Sequence, residues 1–330
     1  MNTFRAFRVR NDDGRIHGTF VDATLNELTA GDVVIRAEYS SVNYKDALAA
    51  TGSGKILKRF PLIGGIDVAG RVESSADDRF HAGDAVLVTG YDLGVAHDGG
   101  YAEYVRVPGD WIVPLPDGLT PFEAMTYGTA GFTAGLAVVR MEQIGIRPEQ
   151  GPIAVTGATG GVGSVAIGCL ARLGFEVTAI TGKESEGDYL QGLGATTVVG
   201  RSSLQMGTRP LEKAQWAGAV DAVGGDMLAW LTRTTNYWGA IASCGLAGGF
   251  ELHTTVMPFI LRGVNILGID SVMCPMEVRR EVWRRLATDL KPQALSTIAQ
   301  EISFDSLPDV FATLLNGGAR GRYVVKLSSP

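Results

Sequence analysis

Glycine supplies the first chemistry in this chain. Gly157, Gly160, Gly161 and Gly163 lie within seven positions, just behind the apolar run Ile153-Ala154-Val155-Thr156. Val162, Val165, Ala166, Cys169, Leu170 and Leu173 then recur at the spacing of one helix face. The string Ala158-x-Gly160-x-x-Gly163 fits the dinucleotide fingerprint, with alanine in the first glycine slot. Its chemistry is the binding of a pyrophosphate. Glycines let the phosphates approach the backbone, and a helix N-terminus offers free N–H groups at the positive end of its dipole. Thr159, Gly160, Gly161 and Val162 are the residues expected to hold it. A tight strand-to-helix turn without a nucleotide is the plainer alternative. The uncharged stretch 151–171 is long enough to span a bilayer, but the glycine cluster and the switch from strand to helix argue against a membrane span.

One strand further on lies a second set of groups. In NAD-specific folds an acidic residue near the end of the second strand takes the ribose hydroxyls. Here Val177–Ile180 runs into Thr181, Gly182 and Lys183. A hydroxyl, a flexible glycine and a cation suit a 2′-phosphate, which a carboxylate would repel. Glu184 is a nearby contrary sign. Arg201, after the third strand, can pair with the phosphate or stack on the adenine. Either cation alone reads equally well as a solvated loop charge. Together, at adjacent strand ends, they favour NADPH.

These groups need a scaffold, and the pattern from residue 151 supplies one. Strands are expected at 153–156, 175–180, 196–199, 218–223, 239–244 and 264–269, with helices at 161–173, 185–193, 225–235 and 276–290. Short apolar strands alternating with helices predict an α/β fold with a doubly wound parallel sheet. Residues 1–120 read instead as mostly β, with runs at Phe4–Val9, Val33–Ser40, Ile66–Glu73, Ala85–Thr89 and Tyr101–Val107. Many short strands with glycine turns predict a partly closed barrel. Thr120 and Glu123 form a capping box around Pro121, so a helix starts there. The tail ends in Tyr323-Val324-Val325-Lys326-Leu327, which is expected to return to the β-rich domain. The expected division is a β-rich domain of 1–122 and 295–330 and a nucleotide domain of 123–294.

A net charge of −6 argues against nucleic acid or an anionic membrane as the main partner. Cys169, Cys244 and Cys274 are widely spaced, which predicts neither a disulfide framework nor a structural zinc site and fits a reducing cytoplasm. MNTFRAFRVR has charges but no apolar core, so no signal peptide is expected. The histidines His17, His81, His97 and His253 show no ligand spacing.

A β-rich domain, a Rossmann domain carrying TGATGGVGS and a C-terminal return together resemble the medium-chain dehydrogenase/reductase superfamily, whose first domain is GroES-like. The resemblance covers essentially the whole chain. Where its zinc alcohol dehydrogenases carry Gly-His-Glu, this chain has Gly65-Ile66-Asp67, and it has no four-cysteine lobe. Zinc catalysis is therefore not expected, which leaves the quinone-oxidoreductase and enoyl-reductase branch. The blocks SSVNYKDALAATG, RFHAGDAVLVTG, TAGFTAGL, CGLAGGFELHTTVMPFILRGVNILGIDSVM and GRYVVK look like the bacterial acrylyl-CoA reductase subgroup. That resemblance implies a homodimer that reduces acryloyl-CoA to propionyl-CoA with NADPH.

Such a reduction needs hydride at the β-carbon, donors for an enolate-like oxyanion and a proton at the α-carbon. Asn43, Tyr44 and Asp46 are the candidate catalytic residues of the first domain. In family terms Tyr44 matches a position beside the nicotinamide, where its phenol donates a hydrogen bond or a proton. A purely structural alternative has Asn43 capping a helix that starts at Tyr44. The family also implies that Leu246, Ile260 and Ser271 line the nicotinamide half, and Asn316 is a candidate for closing the cofactor cleft. Lys55, Lys58 and Arg59 are a candidate patch for the phosphates of CoA, or a solvated loop. Two rival readings stay open: a reductase of quinones or small enones, and an NADPH-binding protein with little turnover.

Overall fold

The computed structural model describes residues 3–327. They form two compact units. The first runs to Thr129 and takes in Val272–Arg280 and the chain from Ala299; the second comprises Ala130–Ser271 and Glu281–Ile298. The split thus falls after Thr129 rather than residue 122, and a nine-residue piece within the second half of the sequence clusters with the first unit.

The first unit begins with strands β1 (Phe4–Asp12) and β2 (Arg15–Ala23), then β3 (Val33–Val42), helix α1 (Tyr44–Thr51), β4 (Leu62–Ile63), β5 (Asp67–Ser75), β6 (Ala85–Thr89), β7 (Tyr104–Val107) and β8 (Val113–Pro114). The strand β2 has no counterpart in the sequence reading. Its residues are mostly half-buried, so the alternation that marks a one-sided strand is missing. The turn before it, Asp13-Gly14, has φ of 51° and 92° and is the hairpin signal that identifies the pair. Helix α2 (Pro121–Gln143) opens on the expected capping box, Thr120 N–H donating to Glu123 at 2.9 Å and Glu123 N–H to Thr120 Oγ1 at 3.2 Å.

The second unit holds β9 (Ile153–Thr156), α3 (Gly161–Arg172), β10 (Val177–Thr181), α4 (Gly187–Gly192), β11 (Thr197–Gly200), β12 (Trp216–Asp221), α5 (Gly225–Thr234), β13 (Thr235–Ser243), α6 (Met257–Arg262) and β14 (Asn265–Gly268). Its strands are parallel and ordered β11-β10-β9-β12-β13-β14, the doubly wound arrangement whose order reverses beside the first strand. β9 is buried at every residue, as a strand covered on both faces must be. Helices α7 (Met276–Ala287) and α8 (Leu295–Ile298) precede the return through β15 (Ala299–Ser303), α9 (Leu307–Leu315) and β16 (Arg322–Lys326).

That return decides where the tail's charges fall. β16 pairs antiparallel with β3, Tyr323 opposite Val42, and β3 pairs with β5. One end of this sheet therefore gathers the end of β3, the starts of β5 and β16 and the end of β6, where Asp67 stands opposite Thr89.

Candidate active site

The start of α1 carries the first group of expected residues. Asn43 is the helix N-cap and Tyr44 its first residue. The backbone N–H of Asn43 donates to Asp46 Oδ2 at 2.9 Å, which secures the first turn. The Asn43 side chain points elsewhere. Its Nδ2 donates to Asp67 Oδ2 at 2.7 Å and to Asp46 Oδ2 at 3.2 Å, and its Oδ1 accepts from Arg322 at 2.9 Å. Asn43 thus caps the helix through its backbone while its side chain joins a buried polar cluster.

Asp67 and Arg322 are the members that sequence reasoning left out. Asp67, fully buried at the start of β5, accepts Ser41 Oγ at 2.5 Å, Thr129 N–H at 2.9 Å and Thr129 Oγ1 at 2.5 Å. Arg322, buried at the start of β16, lies 3.7 Å from Asp67 and donates to Ser41 Oγ at 2.6 Å and to the Val42 carbonyl at 3.1 Å. A signal was present. An aspartate inside LIGGIDVAG, an otherwise apolar strand, needs a buried counter-charge, and the arginine heading Tyr323-Val324-Val325 is of the right kind.

Helix α2 bends to make room for this cluster. Gly128 has φ 51° and ψ −156°, conformations foreign to a helix and to side-chain-bearing residues. A Cβ there would come within 2.5 Å of Arg322 Nη2 and Ser41 Oγ and 2.6 Å of Asp67 Oδ2. The bend also turns Thr129 N–H onto Asp67. Periodicity could not reveal a kink that only the neighbouring charges demand.

Two acids share this buried space, and the titration of Asp46 is perturbed. Burial and then the Asp67 charge push the Asp46 carboxyl up to about 7, although bonds from Asn43 and Ile66 pull it back down. Burial likewise holds the Tyr101 phenol well above its usual value, where it donates to the Ser41 carbonyl at 3.1 Å. The first turn of the helix that bears Tyr44 therefore also carries a buried carboxyl raised to about 7. Tyr44 itself is 54% exposed, open to a reactant.

The dinucleotide residues assemble in the second unit. Gly160 is the N-cap of α3, and Gly161 and Val162 are its first turn, partly open to solvent. At Gly163 a Cβ would meet Gly157 O at 2.5 Å and Ala158 Cα at 2.7 Å, so only glycine lets the helix sit this close on the turn. Thr159 is buried beside them. Thr181 ends β10, and its Oγ1 accepts Lys183 N–H at 2.9 Å. Arg201 lies over Gly182, with Nη2 3.6 Å from a Cβ built there. Glu184, the contrary sign, accepts Ser202 Oγ at 2.6 Å. The geometry fits a dinucleotide with a further anionic group near Arg201.

The other expected residues are scattered. Leu246, after β13, and Ile260, on α6, are 66% and 72% exposed. Ser271 is buried beyond the carboxyl end of β14. Asn316 is an exposed C-cap of α9 in the first unit. Lys58 pairs with Asp92 at 2.8 Å, and Arg59 donates to Thr29 and to the Ala96 carbonyl at 2.7 Å, so neither is a standing phosphate site.

Two family models match: "Alcohol dehydrogenase GroES-like domain" over residues 29–117 and "Zinc-binding dehydrogenase" over 161–288. Among the described residues no three His, Cys, Asp or Glu side chains are grouped to hold a metal ion, and Asp67 is enclosed by donors. The chain is 50% identical to YhfP of Bacillus subtilis, which carries a provisional quinone oxidoreductase name, with 96% of each covered. It is 46% identical to acrylyl-CoA reductase AcuI of Ruegeria pomeroyi, over 99% of this chain and 100% of that one. The yhdH oxidoreductase of Salmonella enterica, solved in complex with NADP, is 49% identical with a TM-score of 0.96 over 98% of this chain and 100% of that one. The YhfP structure, solved with NAD bound, superposes with a TM-score of 0.97.

Proposed function

This chain belongs to the medium-chain dehydrogenase/reductase superfamily and is an oxidoreductase, and we propose that it reduces the double bond of acryloyl-CoA to propionyl-CoA with NADPH. The observation that carries the reading is the buried Asn43–Asp46–Asp67–Arg322 cluster behind an exposed Tyr44. When bound, NADPH supplies the hydride that adds to the β-carbon. The displaced π electrons pass toward the thioester oxygen, and one proton must reach the α-carbon. Thr159, Gly160, Gly161 and Val162 hold the pyrophosphate at the N-terminus of α3. Thr181, Gly182, Lys183 and Arg201 take the 2′-phosphate, the guanidinium by a charge-assisted contact. Leu246, Ile260 and Ser271 line the nicotinamide half.

Tyr44 donates its phenolic hydrogen to the developing oxyanion or to the α-carbon. Asn43 and Asp46 hold the turn that presents it. Asp46, with its carboxyl raised to about 7, exchanges a proton near neutral pH. The acrylyl-CoA reductase name of one relative at 46% identity supports this acceptor. A quinone or small enone is the second reading, favoured by the engagement of Lys58 and Arg59 within the protein.

Among the described residues no helix is long and apolar enough to cross a membrane. With three free cysteines the chain suits a reducing compartment, and we assign the reaction to the cytoplasm. A homodimer is expected: β14 is an edge strand, and in the same unit Trp238, Phe250 and Val256 are 73%, 84% and 66% exposed. Light scattering on the purified chain tests that.

The deciding experiment follows NADPH absorbance with acryloyl-CoA, crotonyl-CoA and a simple quinone side by side. Turnover with acryloyl-CoA is expected. A good quinone rate with none on acryloyl-CoA would overturn the acceptor. Tyr44→Phe is expected to lower kcat by about 10²–10⁴-fold if the hydroxyl transfers the proton, and an unchanged rate would reduce Tyr44 to packing.

A further inference from the structure

Helix α7 carries an arginine that nothing in the reaction yet uses. Arg279 is fully buried in the first unit, to which its segment Val272–Arg280 belongs. A buried guanidinium needs protein groups in place of water. Its Nη1 donates to the Thr89 carbonyl at 2.8 Å and to Thr89 Oγ1 at 3.1 Å, and its Nη2 donates to the Val272 carbonyl at 3.0 Å. The guanidinium carbon also lies 4.5 Å from the centre of the Tyr91 ring, a cation–π contact strengthened by burial. That ring is stacked on Trp111, centroids 5.4 Å apart and planes 6° from parallel.

What this clasp holds is the rim of the active site. Tyr91 has φ 54°, a strained value for an aromatic residue, and its N–H donates to the same Val272 carbonyl at 3.1 Å. Its neighbour Gly90 donates to the Ile66 carbonyl at 3.3 Å, and Ile66 N–H donates to Asp46 Oδ1 at 3.1 Å. Hydrogen bonds therefore run from the Asp46 carboxylate through the Ile66 backbone and the Gly90-Tyr91 turn to Val272. Val272 is bonded directly to Ser271, on the loop expected beside the nicotinamide.

We propose that Arg279 is a positioning residue for the reaction, fixing Tyr91 and Val272 and through them the Gly90-Tyr91 turn and Ile66 against Asp46, on the helix turn that bears Asn43 and Tyr44. The inference rests on the reductase reading above. Loss of the clasp should let the helix turn that bears Tyr44 shift from its reactive position without touching the glycine turn before α3. Kinetic misplacement of about 1 Å costs on the order of 10²-fold.

The test compares Arg279→Met, Arg279→Lys and Tyr91→Leu with the wild type in kcat, KM, the primary isotope effect with 4-deuterated NADPH, and NADPH affinity by fluorescence. With Arg279→Met we expect kcat to fall roughly 10–100-fold and the isotope effect to rise, because hydride transfer becomes limiting. NADPH affinity should stay within about threefold, and lysine should recover part of kcat. A folded Arg279→Met with wild-type kcat and isotope effect overturns the inference. If that variant does not fold, Tyr91→Leu decides, since it keeps every hydrogen bond of Arg279 and removes only the ring. A lower kcat with a raised isotope effect supports the clasp, and wild-type values refute it. Failure of the wild type to oxidise NADPH with any acceptor sinks the reductase reading first, and this inference with it.

Discussion

Arg322 offers the sharpest test of how the acid cluster is held together. Its side chain is 3% exposed and that of Asp67 is 0% exposed, with 3.7 Å between Nη2 and Oδ2. It also donates to Ser41, Val42, Asn43 and Thr126. Arg322→Met keeps an unbranched apolar stem but removes the charge and every donor. Removing one partner of a buried pair costs about 3–5 kcal/mol, because the remaining charge stays buried. Asp46 adds a second acid to the same space, so the upper half of that range applies. Asp67→Asn alone should also destabilise, leaving Arg322 without its nearest anion. In the double variant no charge of the pair remains, so the losses should fall short of their sum by about 2 kcal/mol. Urea unfolding of the four proteins, followed by tryptophan fluorescence, measures this coupling. Additive losses, or a lone Arg322→Met within about 1 kcal/mol of the wild type, would refute the claim that this pair organises the cluster.

Three further predictions concern separate features. Gly128→Ala should cost at least about 3 kcal/mol, from the positive φ and the disturbed charge-assisted hydrogen bonds. Gly145→Ala, with φ 92° and open space around it, should lose only about 1–2 kcal/mol, and equal melting shifts would contradict the cage. Asp46 binds its proton more tightly folded than unfolded, since its carboxyl is raised from 3.8 to about 7. Its contribution is therefore complete below about pH 4 and disappears as pH rises through about 7, roughly 4 kcal/mol in all. Urea titrations at pH 5 to 8 should give a shallower fall in stability for Asp46→Asn than for the wild type, and identical slopes would discredit the assignment. Lys183→Ala and Arg201→Ala should each weaken NADPH by about tenfold while changing NADH little, and equal losses for both coenzymes would remove the 2′-phosphate from that corner.

Local pattern was enough for much of this chain. The run Ile153-Ala154-Val155-Thr156, the glycines behind it and the apolar stripe of α3 are neighbours in sequence, so the pyrophosphate site was legible without a fold. The same holds for the six parallel strands from 153 to 269 and for the capping box at Thr120, but not for α6, α8, β15 or α9, which have no counterpart in the sequence reading. Burial on both faces writes short apolar strands, and helix ends write caps. Asn43, Tyr44 and Asp46 were found for the same reason, being one turn of one helix.

What escaped local reading depends on parts of the chain far apart in sequence. Asp67 meets Arg322 only because β16 returns antiparallel to β3, which in turn pairs with β5. Gly128 bends α2 because three side chains from three other segments fill the space a Cβ would take. Arg279 reaches Thr89 across 190 positions of chain, and Tyr91 beside it, and no periodicity records it. Residue types therefore determined that a dinucleotide binds and which helix turn carries the candidate residues. The balance of buried charge behind that turn was decided by tertiary pairing, because a buried ion is stabilised by whichever groups the fold brings within a few ångströms.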